Sequence, residues 1–497
     1  MNEINYNLND SYIWHKGNRF TSVPRISAYI IIFGLIGCML SSIIILMSDN
    51  DDEYFLYFLL PIGYAAFLII TMFAHHAIYN KVVFYIFVGL YFLKLVVTPA
   101  VSAMGDFSTF NSGIGVKDYI FSAILLSVWE PIFVSLALAI YTRCNTFGYG
   151  CNTGYHSNYI KRNSKGCDGA DFIILAGILF VVLALLYYPP LCVRFHWILN
   201  IGTAQDTAPI TRSWRDFFAS NAREVPLGIV DTYMMVTFYV VRVLFPLMVI
   251  EKIGQARLDL LEKATASFLV IVLAAQITTE VNADTIFMSI ATSILVFKLY
   301  PKFLKRYGAI IFVAGILSIA ALFALKVTGS ANGLLDNLTP MQRLSAVLNA
   351  YVNGPLNLSL AIKAEENYDI SMGISEFLGG LPIFNHFFMG NQTTVIFNET
   401  YWGFAGRTDQ LLPSLGQGYM YFGPIFAPLQ QFLFIILALK LEDISDNSIS
   451  VKMKGYFLFL AIVMIWTIGN NLSTIIGYGL RYLPGIIILY FIKYRCK

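Results

Sequence analysis

Residues 26–47 read ISAYIIIFGLIGCMLSSIIILM, twenty-two positions without a charge and apolar on every face of a helix. About 20 such residues are what a helix needs to cross the hydrocarbon of a bilayer. Comparable runs follow at about 54–73, 78–98, 119–141, 171–192, 229–250, 265–281, 285–300, 308–326, 417–440, 455–474 and 476–493. The pairs at 265–300 and 455–493 are close together and interrupted by polar residues. Strands of a membrane barrel would alternate with period two over about ten residues. These runs are longer and apolar all round, so they predict helices. The expected fold is an all-α polytopic membrane protein with about twelve spans. Composition agrees: 57% of the 497 residues are hydrophobic and only 13% charged, about half the charged share of a soluble domain.

Lysine and arginine set the expected orientation. With the N-terminus inside, the inner segments collect 21 of the 33 basic residues and the outer segments nine; Lys94, Arg242 and Arg481 lie within spans. Short outer connections such as SDNDDE at 48–53 carry no positive charge, whereas KLYPKFLKRY at 298–307 and KYRCK at the end lie inside. The positive-inside rule then places both termini in the cytoplasm. No cleavable signal peptide is expected, since the polar first 25 residues precede a full-length span. The basic residues are dispersed, which gives nucleic acid nothing to bind. The six cysteines form no CxxC pair, so they give little reason to expect zinc.

One long stretch, 327–416, breaks the pattern. It contains MQRLSAVLNAYVNGPLNLSLAIKAEENYD at 341–369 and NETYWGFAGRTDQLLPSLGQG at 398–418. The chain therefore divides into nine spans over 1–326, with a lesser outer loop at 193–228, then the large outer loop at 327–416, then three spans over 417–497. A simple pore or carrier has little use for so much polar chain on one side; an enzyme acting on lipid-linked substrates does. Counting Lys326 at its edge, six of the eight basic residues in the two outer loops are arginine, including Arg212, Arg215, Arg223, Arg343 and Arg407. Arginine forks match phosphate and carboxylate oxygens better than lysine, so the bias suggests anion recognition. Contacts to lipid headgroups are the plainer explanation for any single one.

No phosphate-binding Gly-rich loop, nucleophile elbow or HExxH is present. Outside a bacterial inner membrane there is no ATP, so chemistry there draws on a pre-activated substrate such as a lipid diphosphate sugar. Arginines would stabilise the charge released on its leaving group. Arg343 and Arg407 are each followed eleven places on by a glycine, Gly354 and Gly418. A third match, Arg143 to Gly154, falls on the inner side. His386, Glu399 and Asp409 are candidate bases for an acceptor hydroxyl. His386 in PIFNHFFMG equally fits an interfacial histidine, and Glu399 and Asp409 equally fit a role in orienting Arg407. Within the spans, Glu130 in SVWEPIF and Arg242 in YVVRVLF suggest a structural pair. Arg481, in the outer third of the last span, is placed to reach a lipid diphosphate, with Asn470 and Asn471 in the same region.

The two arginine–glycine spacings, the segment AYVNGPLN, the late outer loop and the following YMYFGPIFAPL resemble the O-antigen polymerases of bacterial surface polysaccharide synthesis. The resemblance is specific to roughly the C-terminal third. It implies a metal-independent, GT-C-like glycosyltransferase without a cofactor, joining undecaprenyl-diphosphate-linked oligosaccharide repeat units at the periplasmic face of the inner membrane. It further implies a chain-length regulator and a flippase as partners. Catalysis would then rest on Arg407, Arg343, Glu399, Asp409 or His386, and substrate binding on Arg212, Arg215, Arg223, Arg481, Gly354 and Gly418. An O-antigen ligase or a lipid-linked oligosaccharide flippase are the alternatives. A flippase should show two similar halves and short loops on both sides, and this chain shows neither.

Overall fold

The computed structural model describes residues 25–48, 52–74, 78, 81–109, 117–148, 169–187, 196–197, 228–278, 282–303, 305–308, 310, 338–379, 392–403, 410–448 and 450–495. Almost all of them are helical. α1 is Arg25–Met47; a 3-10 turn at Asp52–Phe58 leads into α2, Leu59–Ala74. α3, Val82–Phe92, continues through a π-helical turn at Leu93–Val97 into α4, Thr98–Met104. α5 is Ile120–Gly148, α6 Gly169–Tyr187, α7 Gly228–Gln255, α8 Leu260–Ala275 and α9 Asn282–Leu299. The polar stretch forms α10, Pro340–Val352, α11, Pro355–Ala364, α12, Ile370–Gly379, and α13, Gln392–Trp402. α14, Ser414–Phe426, α15, Leu429–Asn447, α16, Val451–Ile465, and α17, Leu472–Arg495, complete the chain. Among the described residues the extended pairing is confined to two short segments, β1 at His196–Trp197 antiparallel to β2 at Ile277–Thr278.

Seven helical segments among the described residues are long and apolar enough to cross a membrane, or nine if each of two bent pairs is one span. Of the twelve expected runs, α8 is a 16-residue helix, and 308–326 lies outside the described residues apart from 308 and 310. The apolar part of α17 is shorter than a full span. The run expected at 417–440 is broken: α14 and α15 meet at 104°. Gly423 in FGPIF has φ +71, a region open to glycine, and Pro424 follows it. At Gly418 a Cβ would overlap the Ala427 carbonyl, so only glycine lets the two arms fold this closely.

The packing is that of a membrane body. α16 is the central helix, with 83% of its span buried, whereas α1 has 22% buried and presents Ile32, Phe33, Ile36, Met39 and Leu40 outward. Around α16 lie α15, α9, α7 and α17.

Ionic contacts mark one end of this body. Lys81 bonds Asp443 and Asp446 at 2.8 Å each, and Lys298 bonds Glu442 at 3.0 Å and Asp446 at 2.8 Å. Glu442 also accepts the Val82 and Val83 amides, satisfying free donors at the start of α3. Asp171 takes Lys452 at 2.6 Å and Lys252 at 2.7 Å. Burial alone would depress the Lys81 ammonium, but Asp443 and Asp446 outweigh it and hold its pKa above the ordinary lysine value. These contacts gather the starts of α3, α6 and α16 and the ends of α7, α9 and α15 on one face.

The polar stretch sits at the opposite end. α10 docks on the end of α4, where Gln342 donates to Asp106 at 3.0 Å and Ser345 to the Ser108 carbonyl at 3.0 Å. Tyr119, just before α5, hydrogen-bonds Glu366. The expected outer loop is thus a helical cap, and its local sequence says why. Thr339 and Gln342 form a capping box at the start of α10. Asn353, left-handed at φ 54, ends that helix, and Pro355 at the first helical position restarts the chain as α11.

Candidate functional site

The cap is fastened to the start of α17 by a buried polar network. Glu376 of α12 accepts the Thr393 amide at 3.0 Å and its hydroxyl at 2.6 Å, which satisfies the N-terminus of α13. Gln417 of α14 donates to Glu376 at 3.1 Å and accepts the Leu472 amide at 2.7 Å. Asn471 donates to Thr394 at 2.7 Å, and Asn353 to the Ile468 carbonyl at 3.1 Å. Asn471 thus serves the cap rather than an open cavity, and Asn470 is buried beside it. Burial first, and then the Glu376 and Asp369 carboxyls, push the Tyr368 phenol above its ordinary value, so it stays neutral. Being held by these bonds, Glu376 is a structural acid.

Below this cap, α17 carries Arg481 nine residues, about 14 Å, from its start. The Arg481 guanidinium lies 5.3 Å from the centre of the Tyr239 ring. Its neighbour Tyr482 donates to Asp284 at 2.7 Å. Both Arg242 and Arg481 act electrostatically on the Asp284 carboxylate. Arg242 is 7% exposed and Asp284 1%. No hydrogen bond satisfies any of the three Arg242 guanidinium nitrogens among the described residues; its nearest ring is Phe238, at 5.8 Å. Two guanidinium groups therefore lie in the field of one buried carboxyl inside the helical body, although no ion pair joins Arg242 to it among the described residues. Charges at such depth are rare and face partners or a polar cavity.

The expected Glu130–Arg242 pair is not formed. Glu130 instead bonds Lys94 at 2.6 Å, both side chains being fully enclosed. That pair joins the π-helical turn at Leu93–Val97 to α5, while Arg242 lies on α7, in the field of Asp284 of α9 and Tyr482 of α17. Asp284 was hidden from a sequence reading because NAD at 282–284 looks like a solvent loop. α9 begins at Asn282 and draws the aspartate into its first turn.

Compared with known protein families, curated proteins and solved structures, the chain matches none.

The other residues singled out from the sequence are placed as follows. Arg343 lies half-buried in the first turn of α10, its Nε donating to the Leu338 carbonyl at 3.1 Å. Glu399 is exposed on α13. Gly354 caps the start of α11, where a Cβ would collide with the Asn349 amide and the Thr98 methyl; Gly418 serves the hinge described above. Both glycines thus have a packing role. Arg212, Arg215, Arg223, His386, Arg407 and Asp409 lie outside the described residues. The Asn398 side chain nevertheless fixes one boundary of the segment with Arg407 and Asp409, accepting the Gln410 amide at 2.9 Å and donating to its carbonyl at 3.0 Å. No group of three His, Cys, Asp or Glu placed to hold a metal ion occurs among the described residues.

Proposed function

We propose that this multi-pass membrane protein is a glycosyltransferase that polymerises undecaprenyl-diphosphate-linked oligosaccharide repeat units on the periplasmic face of a bacterial inner membrane. In this reading both termini are cytoplasmic, the spans number about twelve in a GT-C-like arrangement, and the lysine-rich end is the inner one. The observation that carries the reading is the Arg242–Asp284–Arg481 cluster, lying beneath a hydrogen-bonded polar cap. Guanidinium groups at that depth suit a substrate whose anion hangs from a membrane lipid. Breaking the sugar–diphosphate bond leaves negative charge on the diphosphate, which Arg481, Arg343 and Arg407 would stabilise as it develops. The acceptor's terminal hydroxyl attacks the anomeric carbon, and Glu399, Asp409 or His386 takes its proton. A flippase would deliver the repeat units, and a chain-length regulator would set how many are joined.

The lipopolysaccharide ladder of a deletion strain tests this. A single repeat unit on the core supports polymerisation. Core without any repeat points to a ligase or a flippase instead. In vitro, purified protein should extend lipid-linked repeat units in excess EDTA, since arginines are assigned the neutralising role. Loss of extension with rescue by Mg²⁺ or Mn²⁺ would refute that assignment.

A further inference from the structure

A cavity of about 680 Å³ opens between α6, α7 and α8, and among the described residues Arg242 is the one charged residue in its wall. The remaining lining is hydrocarbon, including Ile178, Val182, Phe245, Val270 and Leu273. Val182, Phe245 and Leu273 are also 45%, 38% and 60% exposed, so the groove opens sideways into the bilayer. Its far end is Ile277 of β2, beyond the last turn of α8, so the groove reaches the capped side of the body.

Depth can be read from the lysine-rich face. Arg242 lies ten residues before Lys252, about 15 Å along α7, and Asp284 lies fourteen before Lys298, about 21 Å along α9. Side chains lean toward the N-terminus of their helix, and in α7 that is the capped end. The guanidinium therefore lies roughly two-thirds of the way across a hydrocarbon layer of about 30 Å. An uncharged chain filling the groove would leave it uncompensated, which is costly at this depth. A free anion has no polar route through these walls. The fitting occupant is one apolar chain carrying an anion at its end. A bilayer phospholipid would have to draw its glycerol esters and two chains down with its phosphate; a polyprenyl phosphate draws only one hydrocarbon chain.

We propose that this lateral groove seats a polyprenyl phosphate lipid, its chain between α6 and α8 and its phosphate on Arg242. The proposal deepens the polymerase reading by fixing where the carrier lipid of the substrate lies, and it rests on that reading for the identity of the lipid.

The test uses the full-length protein in nanodiscs and radiolabelled undecaprenyl phosphate. Arg242→Gln and Val182→Trp should each weaken binding about tenfold or more, the loss expected for a charge-assisted hydrogen bond or a filled groove. Arg242→Lys should recover part of it. Val182 is on the lipid-exposed wall, so its replacement tests the groove even if Arg242→Gln fails to fold. Excess inorganic phosphate should not compete. Equal competition by phosphatidylglycerol would identify an ordinary bilayer-lipid site and overturn the proposal, as would binding unchanged by Val182→Trp. Repeat-unit extension is scored separately. Groove-dependent binding without extension keeps the lipid site and removes the polymerase; extension unaffected by Val182→Trp does the reverse.

Discussion

Removing one partner of the Lys94–Glu130 pair should be among the most damaging single changes in the membrane body. The two groups lie 2.6 Å apart with 1% and 0% of their side chains exposed. At an effective dielectric of about 20, their direct attraction is about 6 kcal/mol. Much of that offsets the desolvation of two ions, but a lone survivor has no such compensation. Lys94→Met or Glu130→Leu should therefore each cost about 3–5 kcal/mol. Replacing both, as Lys94→Met with Glu130→Leu, should cost far less than the sum, because no buried charge remains. Equilibrium unfolding in mixed detergent micelles measures all three. A companion cycle with Arg242→Gln should show no coupling to Glu130, since Arg242 faces Asp284 instead. Single variants within about 1 kcal/mol of the native protein, or additive losses in the double variant, would refute the pairing. Coupling between Glu130 and Arg242 would refute the helix arrangement itself.

Gly423→Ala should cost about 1–3 kcal/mol, because φ 71 with ψ −179 is a backbone region essentially reserved for glycine, whereas Gly418→Ala, which drives a methyl into the Ala427 carbonyl, should remove most monodisperse protein on size exclusion. Equal profiles would show that the arms of the hinge do not approach as described. Arg343→Ala and Arg407→Ala should lower repeat-unit extension about a hundredfold, the loss typical of a transition-state charge partner. Arg407→Lys should also fall strongly, because it keeps the charge and loses the fork. Normal ladders from these variants at normal abundance would remove both arginines from the mechanism. Alkaline phosphatase fused after residue 360 should be active and after residue 448 inactive; the reverse result would invert the orientation.

The apolar runs alone determined that this is a helical membrane protein, because a bilayer demands about 20 consecutive apolar residues wherever a helix crosses. That requirement is local, and α1, α5, α6 and α7 follow it closely. The breaks inside the cap were equally legible: Thr339 with Gln342, and Asn353-Gly354-Pro355, act through backbone groups a few residues away. Hydropathy could not show that the run at 417–440 bends at Gly423, since both arms are apolar and the bend depends on how closely Ala427 approaches Gly418. Nor could it choose charge partners. Glu130 and Arg242 are of opposite sign at similar depth, but depth is one coordinate, and rotation about each helix axis turned Glu130 to Lys94 and Arg242 to Asp284. The large polar stretch read as a solvent loop because its residues are polar. Only tertiary packing buries Asn349, Asn357 and Glu376 inside it and Gln417 beside it, and the bonds from Gln417 to Glu376 and to the start of α17 make a lid rather than a tail. The groove beside Arg242 is walled by three separate helices, α6, α7 and α8, and so no single span encodes it.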